Sequence, residues 1–121
     1  MQSRELVELV EESMSDLKAV EICVLDVGAM TSITDFMVIA TGTSDRHVRS
    51  IADRVVERAK QAGLGVLGIE GHEHGEWVLV DLGDVVVHVM QAVTRDFYKL
   101  EKLWGMQQQS GDLAVGSQPA N

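Results

Sequence analysis

The run Val85-Val86-Val87, followed by His88, Val89 and Met90, is apolar at consecutive positions, and it limits the fold more than any other stretch of the chain. Successive strand residues point to opposite faces of a sheet. A strand with no polar alternation therefore needs cover on both sides, as an interior strand flanked by helices has. Trp77 to Val80 precedes it across Asp81-Leu82-Gly83-Asp84, so the two strands pair as a hairpin. Leucine tolerates positive φ badly, which favours a three-residue turn with Gly83 left-handed over a strict two-residue one. That choice fixes the register, because a slip of one residue would exchange the two faces.

The remaining elements follow from periodicity. Gln2 to Leu17 reads as an amphipathic helix with Ser3 as its N-cap. Leu6, Leu9 or Val10, Ser13 or Met14, and Leu17 line one side, and Glu5, Glu8, Glu11, Glu12 and Asp16 form a solvated acidic face. Glu21 to Asp26 and Asp35 to Thr41 are short apolar runs suited to strands, joined by the loop VGAMTSIT. Ser44 or Asp45 caps the clearest helix, whose apolar side is Val48, Ile51, Ala52, Val55, Val56 and Ala59, and Gly63 ends it. Val66 to Glu70 is a further strand. Val93, Phe97, Leu100 and Trp104 recur at four-three-four spacing, as the core stripe of a last helix capped by Thr94. The order is helix, strand, strand, helix, strand, strand, strand, helix. It implies an α/β fold, a mixed sheet of about five strands flanked by helices.

Function is narrowed mainly by what the side chains cannot do. With 19 acidic and 10 basic residues the net charge is −9, so nucleic-acid phosphates repel the chain and a basic protein attracts it. No run approaches the ~20 apolar residues of a membrane span, and the opening MQSRELVELVEE lacks the apolar stretch of a signal peptide. The single cysteine, Cys23, lies in an apolar run and reads as a packed thiol.

TGTSDRHV offers helix-start amides but neither a P-loop nor a three-glycine dinucleotide pattern, and reads as ordinary capping. Glu70-Gly71-His72-Glu73-His74 has alternating histidines without a second well-spaced pair, so no metal site is expected there. His47 and His88 read as satisfied or packed. Asp26, Asp35, Asp81 and Asp84 flank turns, and neither an Asp-x-Asp pair nor a G-x-S-x-G elbow occurs. Interaction surface remains. Among the five aromatic residues, Trp77, Tyr98 and Trp104 are the candidates for a contact, and Tyr98 falls off the apolar stripe beside Glu101. It reads equally as packing or as an exposed hot spot.

The runs SITDFMVIATGTSDRHVRSIAD, GIEGHEHGEWVLVDLGDVVVHVM and FYKLEKLW strongly resemble the ribosomal silencing factor family, also called the Iojap family. The similarity spans about Glu5 to Trp104, giving an expected domain over 1–105 and a disordered tail over 106–121. The resemblance implies a cytoplasmic bacterial protein that binds the large ribosomal subunit through the ribosomal protein numbered fourteen. Such proteins keep the small subunit away and silence translation when nutrients fall short. It also implies a nucleotidyltransferase-like sheet without the catalytic acids, no cofactor or metal, little direct nucleic-acid contact, and homodimers in some members. Carried onto this chain, the contact surface comprises Trp77, Asp84 and His88 of the hairpin and Tyr98, Glu101 and Trp104 of the last helix. Two alternatives stay open. One is a large-subunit assembly factor using the same surface; the other is a nucleotide-dependent transferase in which the aspartates converge on a metal.

Overall fold

The computed structural model describes residues 1–102. Trp104, the end of the expected domain and the tail over 106–121 lie outside the described residues. The elements are α1 (Ser3–Asp16), β1 (Val20–Asp26), β2 (Phe36–Gly42), α2 (Asp45–Gln61), β3 (Gly68–Glu70), β4 (Trp77–Asp81), β5 (Val85–Gln91) and α3 (Ala92–Tyr98), in the expected order. They form one five-stranded sheet in the order β1-β2-β5-β4-β3. β2 and β5 are parallel, with Phe36 opposite Val85 and Gly42 opposite Gln91. The other neighbours are antiparallel.

β5 is the central strand, and its apolar run is used on both faces. Val85, Val87 and Val89 pack with Val38, Ala40, Val78 and Val80 against Val10 and Met14 of α1 and Val48, Ile51 and Val55 of α2. Met90, on the other face, joins Leu25, Val27, Met37 and Ile39. The helices α1 and α2 are also tied by charge, since Asp16 accepts hydrogen bonds from Arg54 at 3.1 Å and Arg58 at 2.9 Å. Asp16 and Glu12 thus pair with arginines of α2 while remaining exposed, so the acidic side of α1 is largely solvated as expected.

Three local expectations change. Gln2, not Ser3, caps α1: the backbone N–H of Gln2 donates to the Glu5 carboxylate at 2.8 Å, while the Ser3 hydroxyl donates to Asp35. The hairpin turn is tighter than three residues. Leu82 N–H donates to the Val85 carbonyl at 3.0 Å, which leaves Gly83 and Asp84 between them. Gly83 has the expected positive φ of 87°. Leu82 sits at the base of the turn with its side chain buried, so the steric objection to leucine never arises.

The third change is the largest. α3 spans only seven residues, is capped by Gln91 and not Thr94, and ends where Lys99 turns left-handed at φ 51°. Val93 and Phe97, expected in the core, are 82% and 76% exposed. Among the described residues of the stripe, only Leu100, beyond the break, packs against the second cluster. The four-three-four stripe presumes one unbroken helix, and the reversal at Lys99 removes that premise.

A candidate docking surface

Alternation along β4 and β5 sets the geometry. Val78 and Val80 point into the helix-covered core, so Trp77 points to the opposite face, where Met90 is its cross-strand partner. His88 lies two positions before Met90 and shares that face. The Trp77 indole N–H donates to His88 Nδ1 at 2.9 Å. Because Nδ1 accepts, this imidazole is neutral. Tyr98, at the end of α3, places its ring 4.8 Å from that of Trp77, and Phe97 meets Tyr98 edge-on at 5.0 Å. Tilted and edge-on pairs at these separations suit the aromatic quadrupoles. The result is a chain of four rings, from His88 (6% exposed) through Trp77 to Tyr98 (52%) and Phe97 (76%). Val93 lies one helical turn before Phe97 and extends the apolar surface.

The strand-to-helix junction holds this arrangement in place. Gln91 N–H donates to the Glu76 carbonyl and its side-chain amide to the Gly75 carbonyl, both at 3.0 Å. These bonds fasten the start of α3 to the loop that leads into Trp77.

Of the residues expected at the contact, Trp77, His88 and Tyr98 come together. Asp84 does not join them. It occupies the turn at the other end of the hairpin, where its carbonyl accepts from Asp35 and Phe36 N–H at 3.0 and 3.1 Å. Glu101 is engaged from within the chain, its carboxylate 2.7 Å from the Arg95 guanidinium. Trp104 lies outside the described residues. Periodicity missed Val93 and Phe97 as surface residues and Arg95 as a buried one. No local signal marks Arg95, because its backbone and hydroxyl acceptors lie on β1 and β2.

The alternative chemistries find little support in the geometry. Asp81 accepts from Gly83 N–H at 2.9 Å, Asp26 from Gly28 N–H at 3.4 Å, and Asp35 from Ser3 at 2.8 Å, so each carboxylate serves a turn or helix start. Among the described residues no group of three or more His, Cys, Asp or Glu side chains could hold a metal ion. His47 is satisfied as expected. Thr43 N–H donates to its Nδ1 at 2.8 Å, leaving Nε2–H to donate to the Leu17 carbonyl at 2.7 Å. Burial pushes the Cys23 thiol pKa up. Among the described residues, no helix is long and apolar enough to cross a membrane. An exposed apolar patch anchored by a half-buried tryptophan has the physical character of a protein-docking site.

The His88 environment makes the fold sensitive to pH. Burial lowers its pKa from 6.5 to about 4. The unfolded chain therefore takes up this proton before the folded one, and the contribution of neutral His88 is complete above pH 6.5 and lost as pH falls towards 4. The full effect is roughly 3 kcal/mol. Denaturant midpoints between pH 7.5 and 4.5 should fall more steeply for the wild type than for His88→Gln (midpoints at about one-unit pH steps suffice). Parallel slopes would mean that His88 is not the group responsible.

Comparison with known proteins places this geometry in context. A family model described as "Ribosomal silencing factor during starvation" matches residues 1–121. The Ribosomal silencing factor RsfS of Chromobacterium violaceum is 47% identical over 117 residues, covering 97% of this chain and 94% of the relative. A mouse protein named Mitochondrial assembly of ribosomal large subunit protein 1 is 36% identical over 97 residues, covering 78% of this chain and 42% of the mouse protein. A crystal structure of a Chromobacterium violaceum protein superposes with a TM-score of 0.86 at 48% identity, covering 87% of this chain and 88% of that one.

Proposed function

Because the chain belongs to the ribosomal silencing factor family, we propose that it represses translation by binding the large ribosomal subunit and blocking access of the small one. The docking partner is a basic protein of the large subunit, the one numbered fourteen. The observation that carries this reading is the exposed patch of Phe97, Tyr98 and Val93 seated on Trp77. It supplies a small aromatic centre on a chain whose net charge is −9. Attraction to a basic partner raises the association rate, and the aromatic centre supplies the specificity.

The mechanism needs no covalent step. A domain of about 100 residues has a radius of gyration of about 13 Å, so its bulk alone separates two surfaces that must otherwise meet. The protein acts without catalysis, in the cytoplasm where subunits join, and with little direct contact to RNA.

The test is to add purified protein to isolated large subunits, then to offer small subunits. Co-sedimentation with the large subunit and a fall in subunit joining are expected. Binding without any effect on joining would overturn repression. A second reading, assembly of the large subunit through the same surface, is favoured by the name of the mouse relative. In that case the protein should bind immature large particles and leave the joining of mature subunits unchanged.

A further inference from the structure

We infer that Arg95, clasped by Glu101, is a positioning residue that holds the aromatic end of α3 against Trp77 and so makes the patch competent to dock. This rests on the docking function proposed above. Arg95 is the one buried residue of α3. The helix turns Val93 and Phe97 to solvent, so apolar burial does little to hold it on the sheet.

The guanidinium does that work. One of its terminal nitrogens donates to the Glu21 carbonyl at 2.8 Å and to the Thr41 hydroxyl at 2.9 Å. Nε and the other terminal nitrogen donate to a single Glu101 oxygen at 2.8 and 2.7 Å. Three separate segments thus meet on one side chain: β1, β2, and the chain beyond the left-handed Lys99. The Glu21 carbonyl is available because β1 departs from regular pairing between Val20 and Cys23, with Glu21 itself at φ 51°. Charge-assisted bonds of this length are stronger than neutral ones. Tyr98 lies three residues after Arg95 and three before Glu101, so both ends of the clasp fix where its ring meets Trp77. Glu101 accordingly acts through Arg95 and does not reach the partner.

The experiment uses the full chain and isolated large subunits, with Arg95→Gln, Glu101→Gln, the double variant, and Thr41→Val. Thr41 is buried and cannot touch a partner, and valine keeps its shape, so this variant weakens the clasp while sparing the core. Binding is read by sedimentation. The Trp77 indole N–H is read by two-dimensional NMR, assigned against Trp77→Phe because the chain has two tryptophans.

Arg95→Gln should shift the indole signal and weaken binding at least tenfold, and Thr41→Val should shift it in the same direction and weaken binding about threefold. The double variant should bind no worse than Arg95→Gln alone. An unmoved indole signal in both Arg95→Gln and Thr41→Val overturns the clasp. So does a shifted signal with unchanged binding. Additive losses in the double variant would show that Glu101 touches the partner itself. If wild-type protein fails to bind large subunits, the docking function falls, and the indole shift alone decides whether Arg95 positions the patch.

Discussion

Trp77→Ala is expected to weaken binding to large subunits by about thirtyfold or more, the equivalent of ~2 kcal/mol for a central aromatic anchor. The indole supports the patch from below. It packs against the second core cluster, donates to His88, and carries the Tyr98 ring on its face. Alanine removes all three functions at once and leaves His88 Nδ1 without its donor, at a stability cost of about 1–3 kcal/mol. Binding should therefore be measured well below the melting midpoint. Tyr98→Ala provides the companion measurement. More than half exposed, Tyr98 should cost little in stability while still losing hot-spot-sized affinity. A folded Trp77→Ala variant that binds as tightly as wild type would place the docking surface elsewhere on the molecule.

What could be read from the sequence was what depends on neighbours in sequence. The doubly apolar Val85-Val86-Val87 run marks a central strand because the requirement for cover is local to that strand, and β5 is the middle of the sheet. Helix α2 announces itself through Ser44, whose hydroxyl accepts from His47 N–H at 3.0 Å, and through one continuous apolar face. The hairpin itself is local too, but the approach of Trp77 to His88 depends on its register, which the expected three-residue turn misassigned and the observed two-residue turn sets.

The last helix was different. Its periodicity was visible, but periodicity cannot say which side faces in when the anchor is a charge. Besides Glu101, six positions on, Arg95 finds its backbone and hydroxyl acceptors 74 and 54 positions away, at Glu21 and Thr41, and nothing near it in sequence encodes those two. The break at Lys99 is equally silent, because a lysine rather than glycine takes the left-handed conformation. Periodicity therefore marked the hairpin as two adjacent strands and Tyr98 as lying off the apolar stripe, but neither the hairpin register nor the orientation of the last helix.

Gly71→Ala should be the most damaging conservative change outside the core, and it links stability to the docking surface. Gly71 has φ 83°, and a Cβ there would lie 2.1 Å from the Trp77 carbonyl oxygen and 3.2 Å from the carbonyl carbon. Both are backbone atoms at the head of β4, so no side chain can swing aside to make room. The left-handed conformation costs an L-residue about 1–2 kcal/mol, and forced overpacking adds about 1–3 kcal/mol. The sum is roughly 2–5 kcal/mol. Gly63 separates the two contributions. Its φ is 81°, yet a Cβ there meets nothing within 4 Å, so Gly63→Ala should show the conformational cost alone. The excess loss in Gly71→Ala then measures the clash. Relief of that clash requires the Trp77 backbone to move, which pulls the indole away from His88 and Tyr98. Molecules that remain folded should therefore bind large subunits more weakly in Gly71→Ala but not in Gly63→Ala. Denaturant melts of both variants, with binding measured under native conditions, provide the comparison. If the two melt alike, the approach of Gly71 to Trp77 is not what seats the tryptophan, and the strand itself must position it.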